Sequence, residues 1–167
     1  LFRETVDIAL RFGVPQDSSL VALPIAPDHH RVACASPAYL ARHGPPREPM
    51  ELSGHSTLRY MRQGQVSKTW RFRQGDQLQE VEVSGDFLSN DGEIVRRWAL
   101  GGHGIAYKAR LDVIGDIAAG RLVPLFEDWQ GEPAPFNLMC PHRLQVSERV
   151  KVLHRFLQAR CQTLLGS

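Results

Sequence analysis

Apolar and polar positions change rhythm repeatedly along this chain, and the changes mark its elements. Val6 to Leu10 alternates and stops at Gly13, which predicts a strand. Leu20 to Ile25 and Arg31 to Ala35 read as two more, separated by the break Ala26 to His30. A helix follows with full punctuation. Ser36 stands at the N-cap, Pro37 at the first helical position and Gly44 at the stop, and Pro45-Pro46 cannot continue it. Pro49 to Leu52 makes one more helical turn. Thr57 to Met61 is strand-like, and Thr69 to Arg73 and Glu80 to Leu88 predict antiparallel strands around Gln74-Gly75-Asp76.

The second half alternates strand and helix. Asn90 is placed to cap a helix, with Glu93 at the capping-box position three residues on. Ile94, Val95, Trp98, Ala99 and Gly102 fall on one helical face. Gly104 to Tyr107 is a strand, Leu111 to Ala119 a helix ended by Gly120, and Leu122 to Phe126 and Phe136 to Cys140 are strands. A last helix is capped at Ser147 and carries the stripe Val150, Leu153, Leu157, Cys161, Leu164. Alternation of this kind predicts an α/β fold with a parallel or mixed sheet. A Gly/Pro-rich crossing at Gln130 to Pro135 and a similar break at Ala26 to His30 predict two lobes: 1–30 with 136–167, and 31–135.

Composition narrows the class. The 167 residues are 43% hydrophobic and 23% charged, as in a globular chain able to bury a core. The formal charge is +2 and the twenty Lys and Arg are scattered, which argues against a nucleic-acid surface in this segment. No apolar run approaches the roughly 18 residues that span a bilayer, and no charged-then-apolar leader is present, so no membrane partner is expected. The chain starts at Leu1 directly before a strand-like segment, as expected of a piece of a longer protein. Cys34, Cys140 and Cys161 are an odd count without C-x-x-C spacing, which suits a reducing compartment.

The candidate chemistry is that of binding. The starts of the helices after Ser36 and after Ser89-Asn90-Asp91 offer unpaired N–H groups and partial positive charge. If both face one cleft, they suit a small anion such as a carboxylate or aromatic acid. Ser36 and Asn90 equally read as plain caps. Asp91 suits a hydroxyl or amine on the same ligand, or simply the helix dipole. Arg11 lies at a strand end before Gly13, where open α/β sheets place ligands, and reads either as a carboxylate fork or as a salt bridge. Trp98 reads as core and Trp70, between arginines, as a surface or interface residue. The seven histidines lack ligand spacing, so no metal is expected. No G-x-S-x-G elbow or convincing Ser/His/Asp order is present, and Gly101 to Gly104 ends a helix instead of opening one. Catalytic residues and cofactors are therefore not expected.

Several motifs recur together in order: Asp7-Ile8-Ala9-Leu10-Arg11-Phe12-Gly13, Asp17-Ser18-Ser19-Leu20, Ala35 to Gly44, Asn90-Asp91-Gly92-Glu93, Gly120-Arg121-Leu122-Val123 and Cys140-Pro141-His142-Arg143. Across nearly the whole chain this set resembles the effector-binding domain of LysR-type bacterial transcriptional regulators. The resemblance implies a two-lobed periplasmic-binding-protein-like fold with two crossing strands and a small effector in the cleft. It also implies a cytoplasmic homo-oligomer that meets promoter DNA through an N-terminal winged helix-turn-helix outside this chain. The match begins partway through the first lobe, which is expected to be incomplete. In the family, the stretch holding Thr57 and Arg59 reaches the cleft. The candidate effector-binding set is therefore Arg11, Gly13, Ser36, Thr57, Arg59, Ser89, Asn90, Asp91 and Gly104. Competing readings are a thiol redox sensor using Cys34 and Cys140, with His142 and Arg143 nearby in sequence, a stand-alone solute-binding protein, and a small α/β enzyme.

Overall fold

The structure, a computed structural model, describes residues 8–13, 19–62, 64–142 and 147–166. Leu1, Val6, Asp7, Asp17, Ser18 and Arg143, invoked above, lie outside the described residues. The chain divides into two compact units, one up to His29 and again from Pro133, the other from His30 to Glu132. The junctions thus fall earlier than the pattern of breaks suggests. Hydrogen bonding accounts for this: Ala134 N–H donates to the His29 carbonyl, and Arg31 N–H to that of Glu132. Each pair keeps its residues in one unit.

In the first unit, β1 (Ala9–Phe12), β12 (Phe136–Pro141) and β2 (Leu20–Ala26) form an antiparallel sheet in the order β1-β12-β2. The final helix, α4 (Glu148–Leu165), follows Ser147, whose side chain makes no capping bond. It packs on β2, where His154 Nε2 and Gln158 Nε2 reach the Pro24 carbonyl at 2.6 and 3.2 Å. Val150 and Cys161 of its apolar stripe are buried.

The second unit is built around a mixed sheet in the order β10 (Val123–Leu125), β3 (Arg31–Ala35), β9 (Ile105–Ala109), β4 (Thr57–Arg62), β5 (Gln65–Val66). Strand β8 (Leu88–Ser89) pairs with β4 in parallel. Period-two alternation sends β3 and β9 side chains to two cores. Val32, Cys34 and Ala106 meet Leu58, Val95 and Val113, under helices α2 (Gly92–Leu100) and α3 (Arg110–Ala118). Ala33, Ala35, Ile105 and Tyr107 meet Tyr39 of α1 (Pro37–His43) and Leu52 of the 3-10 turn Pro49–Gly54. The hairpin of β6 (Thr69–Gln74) and β7 (Gln77–Glu82) covers that same side, with β11 (Gln130–Gly131) paired to β6.

Two expectations are corrected here. Trp70 is not a surface residue: it is 2% exposed, inside the core with Phe72 and Val81. Strand alternation turns Trp70 and Phe72 inward and leaves Arg71 and Arg73 outside. Nor does one strand run from Glu80 to Leu88. The hairpin strand ends at Glu82, and the chain crosses to the edge of β4, where Thr57 N–H donates to Ser84 O and Arg59 N–H to Phe87 O. Gly85 permits the crossing, because a Cβ there would collide with the Thr57 carbonyl oxygen.

Candidate functional site

Three of the candidate residues, Ser89, Asn90 and Asp91, lead into helix α2. Asp91, not Asn90, is its N-cap: Asp91 is extended at φ −108° and ψ 115°, and its carboxylate accepts from Glu93 and Ile94 N–H. Asp91 N–H in turn donates to Ser89 Oγ at 3.0 Å. Both residue types cap well, so sequence alone leaves the choice between neighbours open, and the backbone bend decides it. With the cap one residue later, Glu93 does not close a capping box. It binds Arg96 and Arg97, at 3.0 and 3.1 Å.

The start of α2 also holds a residue the sequence reading missed. Lys108 of β9 is 9% exposed, and its Nζ donates to Gly92 O at 2.8 Å and pairs with Asp112 at 3.2 Å. A buried ammonium thus stands beside the positive end of the helix dipole. Its only signal in the sequence was a lysine inside an otherwise apolar strand.

Ser36 is not near this point. It caps α1, with Tyr39 N–H donating to its Oγ at 3.2 Å. The neighbour of Ser36 is Gly102, where a Cβ would stand 3.3 Å from Ser36 Oγ. Arg42 Nη2 donates to Gly102 O at 2.6 Å. Ser36 therefore lies beside the C-terminal end of α2, whose nine residues span about 13 Å. The two helix N-termini occupy opposite ends of the sheet. Strand direction is the cause. β3 runs antiparallel to β9, with Arg31 opposite Ala109 and Cys34 opposite Ala106. The exit of β3 into α1 is therefore at the start of β9, whereas Lys108, near the end of β9, touches the start of α2.

Thr57 and Gly104 sit at the Ser36 end. Thr57 is fully buried opposite Ile105 and donates its hydroxyl to Ser84 O at 2.8 Å. Gly104 packs so closely that a Cβ would stand 2.6 Å from Ser56 O. Arg59 donates from Nη2 to Gly85 O at 2.6 Å, and its buried Nε has no hydrogen-bond partner. The structure thus groups Ser89, Asn90 and Asp91 with Lys108, and separates them from Ser36, Thr57 and Gly104. Arg11 and Gly13 belong to the other unit. Arg11 is exposed on β1, opposite Asn137. Gly13 has φ 90°, donates to Pro135 O and accepts from Asn137 Nδ2 at 2.9 Å.

The thiols have the environment of core residues. Burial pushes the Cys34 thiol up to about 12, against a smaller opposing effect from Lys108. Burial also raises Cys140 and Cys161, and all three cysteines are free. Among the described residues no group of three or more His, Cys, Asp or Glu is arranged to hold a metal, and no helix is long and apolar enough to cross a membrane.

Comparison with known proteins agrees with this architecture. The family model for the LysR substrate binding domain matches residues 1–162. The regulator CrgA of Neisseria meningitidis serogroup C is 38% identical over 94% of this chain and 52% of its own length. The regulator DmlR of Escherichia coli is 33% identical over 95% of this chain and 51% of its own. The chain thus spans about half the length of these curated relatives. Among solved structures, the CrgA regulatory domain superposes with a TM-score of 0.76 at 35% identity, covering 93% of this chain and 75% of that one. The regulatory domain of AphB from Vibrio vulnificus gives 0.69 at 25% identity, covering 92% and 75%. These relatives are transcriptional regulators rather than enzymes, and by sequence and by its periplasmic-binding-protein-like fold the chain belongs to the LysR substrate-binding-domain family.

Proposed function

We propose that this chain senses a small anionic effector, a carboxylate or aromatic acid, for a homo-oligomeric cytoplasmic regulator that meets promoter DNA through a separate DNA-binding domain. The observation that carries the anionic class is the start of α2, where the Lys108 ammonium lies 2.8 Å from Gly92 O beside the Ser89-Asn90-Asp91 turn. A ligand carboxylate there gains from the helix dipole and from a cation shielded from water. Asp91 spends its carboxylate on the cap, which leaves the Asn90 amide as the adjacent polar group. A sensor needs only different affinity for two arrangements of the protein, typically worth about 1–3 kcal/mol.

The test is a thermal-shift and calorimetric screen of small carboxylates and aromatic acids. Dose-dependent stabilisation that is lost in Asn90→Ala and Lys108→Met, and kept in Ser36→Ala, supports the reading. Stabilisation lost equally in Ser36→Ala moves the ligand to the other end of the sheet. One structural relative, the AphB regulatory domain, was studied after cumene hydroperoxide treatment, which keeps a thiol reading in view. The high pKa of Cys34 speaks against it, because the thiolate is the reactive form.

A further inference from the structure

The chain enters the 30–132 unit at one point and leaves it at another, and one side chain holds both. Tyr107 Oη donates to Arg71 O at 2.7 Å and accepts from Glu132 N–H at 2.6 Å. Glu132 O in turn accepts from Arg31 N–H at 2.9 Å. The Arg31 guanidinium carbon lies 6.0 Å from the Tyr107 ring centre, and Arg31 Nη1 donates to Tyr107 O at 3.5 Å. Gly131 is glycine because a Cβ would collide with the Arg31 carbonyl oxygen and stand 3.0 Å from Tyr107 Oη. Below, the Tyr107 ring packs against Trp70 and Phe72, each at 5.0 Å. A buried hydroxyl that donates and accepts in this way ties strands β6 and β9 to both passages of the chain.

The geometry points to Tyr107 as the positioning residue that fixes how the two crossing segments leave this unit, and so the clamp through which an effector would change the relation of the units. The clamp itself stands on the contacts above; its part in an effector response rests on the proposed sensor function. An apolar core needs only the ring of Tyr107. The hydroxyl serves the crossings.

Tyr107→Phe keeps the ring and removes the hydroxyl, so the core is expected to fold. Amide hydrogen exchange at Glu132 and Arg31 should then accelerate about tenfold, the effect of one or two lost hydrogen bonds, while Val95 and Ile105 keep their protection. Spin labels at Leu78→Cys and Val152→Cys, exposed sites in the two units, should report a broader distance distribution in the variant. The native cysteines are buried and leave the labels selective. Unchanged exchange at residues 31 and 132, or acceleration spread evenly over the unit, overturns the clamp. Local acceleration with an unchanged distance distribution overturns its control over the two units. None of these readouts needs an effector, so failure to find a ligand for the wild-type chain counts against the sensor reading alone.

Discussion

Lys108 Nζ reaches across from strand β9 to the Gly92 carbonyl at the first turn of α2, 2.8 Å away, and leans on Asp112 of α3. One buried ammonium therefore joins a strand and two helices. Lysine is almost never so enclosed without partners, and here the partners are a carbonyl and a carboxylate. Replacing Lys108 by Met keeps the stem and deletes the charge. The expected cost is about 1–3 kcal/mol, since Gly92 O and Asp112 lose a donor. Chemical denaturation checks this, and Lys108→Arg should not restore full stability, because a planar fork does not fit a point-charge position.

Asp116 of α3 is 2% exposed and is held by two arginines. Arg96 binds it through Nε at 2.6 Å and Nη2 at 2.9 Å, and Arg121 adds Nε at 2.9 Å. These hydrogen bonds, that of Arg96 first, hold the Asp116 carboxyl below its ordinary 3.8. A depressed carboxyl stabilises the fold above its unfolded pKa and loses that contribution as pH falls through the folded one. Asp116→Asn should lower stability by about 1–3 kcal/mol at neutral pH, discounted because both arginines reach solvent. The gap to wild type should stay constant down to about pH 5 and close below the ordinary Asp value, near 4. Thermal melts of both proteins over that range decide it. A gap that persists at low pH would mean that shape, not charge, holds the site.

Burial drives the Cys34 thiol from 9.0 to about 12. The sign runs opposite to that of Asp116. The neutral thiol is favoured by folding, so the contribution is intact below pH 9 and is lost as pH rises towards the folded value. Native protein at pH 8 should leave Cys34 unmodified by iodoacetamide, whereas denatured protein should react fully. Mass spectrometry of the peptide checks this, and rapid native modification would reopen the thiol-sensor reading.

Gly104 lets β9 approach the neighbouring backbone, where a Cβ would stand 2.6 Å from Ser56 O and 3.1 Å from Leu58 Cδ2. Gly104→Ala should cost about 1–3 kcal/mol through overpacking. Gly54→Ala, where nothing lies within 4 Å, is the neutral comparison. Urea midpoints of the two variants separate close approach from a generic glycine effect.

Much of the fold was legible along the chain. Helix α1 spans Pro37–His43 with Ser36 bonded to Tyr39 N–H and with Gly44 closing it through Leu40 O. The β6–β7 turn falls at Gly75-Asp76, Gly75 taking φ 57°. Those features are local. Capping and turn chemistry act over three or four residues, and the residue types announce them. The misreadings were local choices between equivalents, or global ones. Asn90 and Asp91 cap equally well until the backbone chooses. Trp70 looked exposed because its neighbours are charged, although alternate residues of a strand face opposite ways.

The sequence by itself determined most of the helices and strands to within a few residues, which positions are apolar, and the family to which the chain belongs. Tertiary structure alone decided which of those ends meet. Because β3 runs against β9, the starts of α1 and α2 fall at opposite ends of one sheet, and Ser36 and Asp91 part company. The parallel pairing of β9 with β4, and of β4 with β8, carries Lys108 to the start of α2, and the pairing with β3 carries Tyr107 to the chain crossings. Strand direction and register are set by packing between distant segments, and distances of that kind are not written in neighbouring residues.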